Sequence, residues 1–187
     1  MTASKTDLRI IRSHKLIRQG LIELLNQKSY HDINVQDILD AAMVNRSTFY
    51  TYYSGKDDLV GQMILDLKTE IKQLIEQRQQ AENLEHFFEI AMPKWYELRH
   101  LLLALWKVYT PRHHLFDDMV KMFQQSFIQL AQGKSVSEQD LPLQSLLFAH
   151  SFLTAIRFFF EKDEKPNAKK IMTLWQNTLD IASEKKG

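Results

Sequence analysis

The 187-residue sequence contains no cysteine. That excludes disulfide frameworks, thiolate zinc sites and cysteine nucleophiles, and it suits a reducing compartment, so a cytoplasmic location is expected. Glycine and proline are scarce, with five and four residues, and no Asn-Gly or Asp-Gly pair marks a β-hairpin. Long hydrophobic runs are missing too. The longest, Leu101–Trp106 (LLLALW), falls far short of the ~20 residues that a membrane-spanning helix requires. The N-terminal MTASKTDLRIIRSHK has no apolar stretch followed by a small-residue cleavage site, so no signal peptide is expected. There is no glycine-rich phosphate loop, nucleophile-elbow serine or paired-carboxylate motif, which leaves an enzyme without its usual acid, base or nucleophile. The expectation is a soluble protein that is not an enzyme and carries no cofactor.

What is present is ordinary globular material, 44% hydrophobic and 25% charged, with apolar residues recurring at three and four spacing nearly throughout. This pattern predicts an all-α fold of about nine helices. The net charge of +1 conceals an asymmetry: residues 1–56 hold eight Lys/Arg against five acids, a net of +3, and the remainder carries −2. The basic excess therefore sits at the N-terminal end, an imbalance too modest to name a partner by itself.

A first helix is predicted from about Thr6 to Gln27, with Leu8, Ile11, Leu16, Ile17, Leu21, Leu24 and Leu25 on its buried side and Lys5, Arg9 and Arg12 on the other. Asn34 can cap a short helix over Val35–Ala42 with Asp37 at its third position, and Asn45 can cap the next. Only Met43-Val44 separates the two, which leaves room for a tight turn and nothing else. In the second short helix Phe49 and Tyr53, four apart, face the core together with Val44, while Arg46, Ser47 and Tyr50 point away. Two short helices so joined, the second offering polar side chains, make a helix-turn-helix. Its outward groups suit DNA: Arg bridges guanine edges, hydroxyls reach phosphates or bases, and an aromatic ring rests on sugar or a thymine methyl.

Residues 33–60, INVQDILDAAMVNRSTFYTYYSGKDDLV, closely resemble the signature of the tetracycline-repressor-like (TetR) family of transcriptional regulators, at Val35, Ile38, Ala42, Val44, Thr48, Phe49, Tyr50, Tyr52, Lys56 and Leu59. Met43 stands where the family has a turn glycine, Asn34 and Asn45 replace its Thr and Ser caps, and Tyr53 takes a Phe position. By position, the resemblance implies DNA contacts from Arg46, Ser47, Thr48, Tyr50, Thr51, Tyr52 and Lys56, with Lys56 and Tyr50 foremost. It also implies a DNA-binding domain over residues 1–56 and a helical ligand-binding and dimerisation domain over 57–187. A homodimeric repressor on a palindromic double-stranded operator, released by a small-molecule effector, is the expected activity. A protein-interaction module of the same fold without a small ligand is the alternative.

Residues 57–187 carry no comparably specific motif. Their punctuation predicts a long helix from Asp57 to about Gln80, then breaks at Ala81-Glu82-Asn83, Pro93, Pro111, Gly133–Pro142 and Lys165-Pro166-Asn167. Bulky side chains crowd the segment 91–127, and the residues proposed to line a ligand pocket there are Trp95, Tyr96, His100, Trp106, Tyr109, Phe123 and Phe127. His113 and His114, each four residues before Asp117 and Asp118, have a helical spacing compatible with metal ligation, but no third ligand is evident and no metal is expected. The last two helices, Leu143–Glu161 and Asn167–Ser183, are apolar on more than one side. A second apolar face implies either a partner copy or a wide helix buried inside one chain; the resemblance, which implies dimers through the two C-terminal helices, favours the partner copy, with Phe148, Phe152, Ile156, Phe159 and Trp175 as interface residues.

Overall fold

A computed structural model describes residues 5–134 and 137–183, with side chains at 10–78, 81–83, 85–134 and 137–183. Among the described residues there are nine α-helices and no strand: α1 (Lys5–Gln27), α2 (Val35–Ala42), α3 (Arg46–Tyr52), α4 (Lys56–Gln80), α5 (Leu84–Glu97), α6 (Arg99–Leu105), α7 (Leu115–Ala131), α8 (Leu141–Glu161) and α9 (Ala168–Ser183). A 3-10 turn at Tyr30–Asp32 links α1 to α2. The chain divides into two compact units, one of Met1–Glu70 with His100–Phe116, the other of Ile71–Arg99 with Asp117–Gly187.

In the first unit the helix boundaries follow from capping. Asn34 Oδ1 accepts the Asp37 N–H at 3.0 Å and Asp37 Oδ2 accepts the Asn34 N–H at 2.8 Å, a reciprocal capping box. Lys28 reaches the same carboxylate at 2.8 Å, so Asp37 is held below the usual carboxylate range, first by the Asn34 backbone bond and then by Lys28. Asn45 caps α3 by accepting the Thr48 N–H at 2.9 Å. Met43 closes α2 in the left-handed conformation, φ 53° and ψ 42°, where a Cβ costs roughly 1–2 kcal/mol.

The core of this unit packs Ile17, Leu21 and Leu25 of α1 against Ile38, Leu39 and Ala42 of α2, Phe49 of α3 and Leu59, Val60 and Met63 of α4. Close approach is possible because of Gly20: a Cβ there would sit 3.1 Å from the Ala42 nitrogen. Two of the apolar residues expected on the buried side of α1 are not. Ile11 and Leu16 are exposed, since the packing that buries α1 begins at Ile17; Ile11 instead borders an open groove of about 540 Å³ beside His14, Arg18, Met63 and Asp66. Leu24 is half-buried, and the side chains of Lys5, Leu8 and Arg9 lie outside the described residues.

The second unit is built around rings. Trp95 of α5 meets Phe123 of α7 and Phe152 of α8 edge-on, with centroids 5.5 and 6.1 Å apart, and Phe88 meets Phe152 at 5.8 Å. The break expected at Pro93 does not occur: α5 continues through it. A proline in a helix interior costs ~3 kcal/mol, but burial of Ala91, Met92 and Trp95 around it offsets that, and the stranded carbonyl belongs to exposed Glu89. Pro142, expected in a loop, lies in the first turn of α8, where a missing N–H breaks no helical bond. His113 and His114 precede α7, so the helical spacing to Asp117 and Asp118 does not arise; His113 instead packs its ring against Gly61.

By length and composition α8 could cross a membrane, with a mean hydropathy of 1.3 in its best window. Its apolar content reaches that level without a continuous run because Gln144, Ser145, His150, Ser151, Thr154 and Arg157 interrupt it. Ala149, Phe152, Leu153, Ile156, Phe159 and Phe160 are buried within the chain, which is how a core helix uses such a sequence.

Candidate nucleic-acid interface

The position of α3 is fixed from beneath. Phe49 and Tyr53 are 0% and 1% exposed and their rings meet at 5.6 Å. The Tyr53 hydroxyl, which a buried tyrosine must satisfy, lies 2.8 Å from His14 Nδ1 and accepts from Arg18 Nε at 3.2 Å. Arg18 in turn reaches Asp66 at 2.7 Å. With the Arg18 N–H directed at the phenol oxygen, the phenol proton is free for Nδ1, which accepts it only as a neutral imidazole. Burial and then the neighbouring Arg18 hold the His14 pKa below the ordinary histidine range, which agrees.

On the opposite flank of α3, Arg46, Ser47, Tyr50 and Thr51 are exposed. The Arg46 guanidinium lies 6.0 Å from the centroid of the Tyr50 ring, a loose cation–π pairing. The Ser47 hydroxyl donates to Asn45 Oδ1 at 3.0 Å and the Thr51 hydroxyl to the Ser47 carbonyl at 2.9 Å. Both hydroxyl oxygens keep lone pairs for an incoming donor.

Three of the seven residues expected to touch DNA have other work in the structure. The Thr48 hydroxyl donates to Asn45 Oδ1 at 2.6 Å and belongs to the cap. Tyr52 is half-buried with its ring 4.2 Å from that of His14. Lys56 is the larger departure: its ammonium donates to the carbonyls of Tyr30 at 2.7 Å and Ile33 at 2.6 Å and lies 4.2 Å from the Tyr30 ring centroid. Burial pulls that ammonium below the usual lysine range, with Asp57, Asp32 and Asp37 opposing. The Tyr30 hydroxyl donates to Asp57, and burial followed by that bond raises the Tyr30 pKa. Lys56 and Tyr30 thus buckle the 3-10 turn to the start of α4. No local pattern announces this, because the two carbonyls lie 26 and 23 residues away along the chain.

The second unit contains a ring-lined cavity of about 190 Å³. Of the seven residues expected to line a pocket, Phe123 and Phe127 do so. Trp95 stands behind the wall, 1% exposed. Tyr96 donates to the Asp163 carbonyl at 2.7 Å. His100, Trp106 and Tyr109 belong to the other unit, and Tyr109 is largely exposed.

Phe148 and Phe152, expected at a dimer interface, line this cavity instead, and Ile156 and Phe159 are 0% and 2% exposed within the chain. Trp175 is half-buried, 6.1 Å from Phe148. The periodicity of α8 has two apolar stripes, and the bulkier one turns inward. What remains outside is Leu143, Leu147, Thr154 and Phe158, at spacings that keep one helix face, with Leu174 and Ile181 exposed on α9.

Residues 17–63 match the family model for bacterial regulatory proteins of the tetR family. The chain is 34% identical over 50 residues to the dhaKLM operon transcriptional activator DhaS of Lactococcus lactis subsp. lactis, a stretch that is 27% of each protein; it spans about a quarter of the length of the curated relatives it matches. Among solved structures, a putative transcriptional regulator from Pseudomonas aeruginosa PAO1 superposes with a TM-score of 0.65 at 16% identity, covering 90% of this chain and 89% of that one. A gamma-butyrolactone receptor (ArpA-like protein) superposes with a TM-score of 0.56 at 13% identity, covering 95% and 100%.

Proposed function

We propose that this chain, whose residues 17–63 match the family model for bacterial regulatory proteins of the tetR family, is a DNA-binding transcriptional regulator that acts as a homodimeric repressor on a palindromic operator and leaves the DNA when a small molecule occupies the cavity of the second unit. The observation that carries the DNA reading is the exposed flank of Arg46, Ser47, Tyr50 and Thr51 on a helix whose other side is buried at Phe49 and Tyr53. A recognition helix held this rigidly reaches base edges without a large ordering cost. Arg46 and Tyr50 read bases, Ser47 and Thr51 meet bases or phosphate, and Lys56 keeps one N–H for phosphate beyond the two given to carbonyls. In the assignment of domains, residues 1–56 contact DNA and 57–187 receive the ligand and the second copy.

Two such heads on one operator read half-sites about one helical turn apart, ~34 Å. Dimerisation through the outward stripe of α8 and the exposed face of α9 sets that separation, as a four-helix contact between copies. The cavity supports the ligand reading, and α4 supplies residues to both units, so a shift of its C-terminal turns is felt in the same helix that Lys56 begins. A ligand acts only through differential affinity for the DNA-competent and released states. The gamma-butyrolactone receptor among the structural neighbours fits a ligand-responsive regulator, and DhaS, an activator, marks the opposite sign of control.

Selection of duplexes from a random library by the purified protein tests the proposal. The expected result is a palindrome enriched by the wild type and lost with Tyr50→Ala; enrichment that survives this substitution places the reading surface elsewhere.

A further inference from the structure

The cavity in the second unit has a one-sided charge. Its walls are Phe87, Phe123, Phe127, Phe148 and Phe152 with aliphatic neighbours, and among the described residues the charged ones lining it are Arg78 and Lys134, with no carboxylate. Among the described residues neither cation has an ion-pair partner. Arg78 lies 5.9 Å from the Phe87 ring centroid, and burial pulls its guanidinium below the usual arginine range. Glu76, two residues before Arg78, lines a separate cleft and lies 4.0 Å from Lys72. The position of Arg78 in the last turn of α4 accounts for a basic residue there through the helix dipole, but not for turning it into a half-buried aromatic setting without a counter-charge, which costs solvation energy. Ser126, 6% exposed, adds a hydroxyl to the same wall.

We propose that the cavity binds a small monoanion with an apolar body, an aryl- or alkyl-carboxylate, whose rings or methylenes lie among the phenylalanines while Arg78 and Lys134 take the carboxylate. This deepens the effector reading and rests on it. Size follows from volume: an apolar cavity of about 150 Å³ accommodates benzene, so ~190 Å³ suits a ring with a short acidic tail. Guanidinium and carboxylate pair bidentately and lose less on partial desolvation than an ammonium would, which makes Arg78 the anchor and Lys134 the outer contact.

Isothermal titration of the full chain with 3-phenylpropanoate, its neutral amide and 3-phenylpropylamine tests the charge. The acid is expected to bind at least tenfold more tightly than the amide, and the amine least. Arg78→Gln is expected to remove most of the preference for the acid over the amide and Lys134→Gln a smaller part of it, with circular dichroism and the urea midpoint showing that each variant is folded; a preference that survives both substitutions overturns the assignment of these two cations. Equal binding of acid and amide, or preference for the amine, overturns the anion inference and leaves the cavity as an effector site. Binding of none of the three at millimolar concentration overturns both. If the acid binds with the expected preference yet operator affinity is unchanged by it, the anion site stands and the effector reading falls.

Discussion

Replacing Lys56 with methionine separates two uses of one ammonium. In the structure it donates to the carbonyls of Tyr30 and Ile33 at 2.7 and 2.6 Å and covers the Tyr30 ring. Methionine keeps an unbranched apolar stem as far as the ε position and removes every donor. A hydrogen bond to a charged group contributes ~1.5–3 kcal/mol, and the half-buried position lets water reach the vacated carbonyls, so the lower end applies to each. Two bonds then amount to about 3 kcal/mol, and loss of the cation–π contact adds about 0.5. With a urea slope near 2 kcal/mol/M, the expected midpoint of unfolding, followed by circular dichroism, falls by roughly 1.75 M. The same variant is titrated with operator DNA at several salt concentrations. An unshifted urea midpoint together with a salt slope reduced by about one phosphate contact per subunit would refute the buckle and return the ammonium to the DNA.

Four further outcomes are expected. Met43→Gly relieves the left-handed turn between α2 and α3 and raises stability by about 0.5–1 kcal/mol by urea titration; a loss of stability would show that the exposed methionine contributes more than its backbone costs. Arg46→Ala weakens operator binding by ~1–3 kcal/mol on the preferred sequence and much less on random DNA, measured by fluorescence anisotropy. Phe158→Glu or Leu147→Glu, on the exposed stripe of α8, yields folded monomers by sedimentation, whereas Phe152→Glu, in the core, unfolds the chain; a dimer surviving both surface changes moves the interface off α8. For His14 the folded pKa is lowered, so between the folded and unfolded values the unfolded chain binds more protons and stability falls as pH drops from about 6.5. Melting temperatures between pH 7.5 and 5.5 are expected to decline more steeply for the wild type than for His14→Gln, and parallel curves would sink the assignment of a neutral imidazole.

The local elements were largely written in local signals. Asn34 with Asp37, and Asn45 ahead of Arg46, are capping patterns complete within four residues, and both helices begin where those patterns put them. Phe49 and Tyr53 at helical spacing marked the buried side of α3, and Tyr53 needed a polar partner wherever it lay. The partners themselves, His14 and Arg18, come from α1 and have no signature at the position of Tyr53. Pro93 shows the converse, a strong local breaker overruled by the burial of Met92 and Trp95 beside it.

The all-α class, the two capped short helices, the tight turn at Met43 and the flank of α3 that carries Arg46, Ser47 and Tyr50 are legible in the linear order of residues. Each follows from interactions between residues a few positions apart, which operate before any tertiary contact forms. Long-range packing, by contrast, selects which of two apolar stripes on α8 faces inward, lines a cavity with Phe148 and Phe152, and closes the ammonium of Lys56 onto carbonyls of the 3-10 turn. Those outcomes depend on which distant surfaces meet, and hydrophobic periodicity records that a face is apolar without recording what covers it.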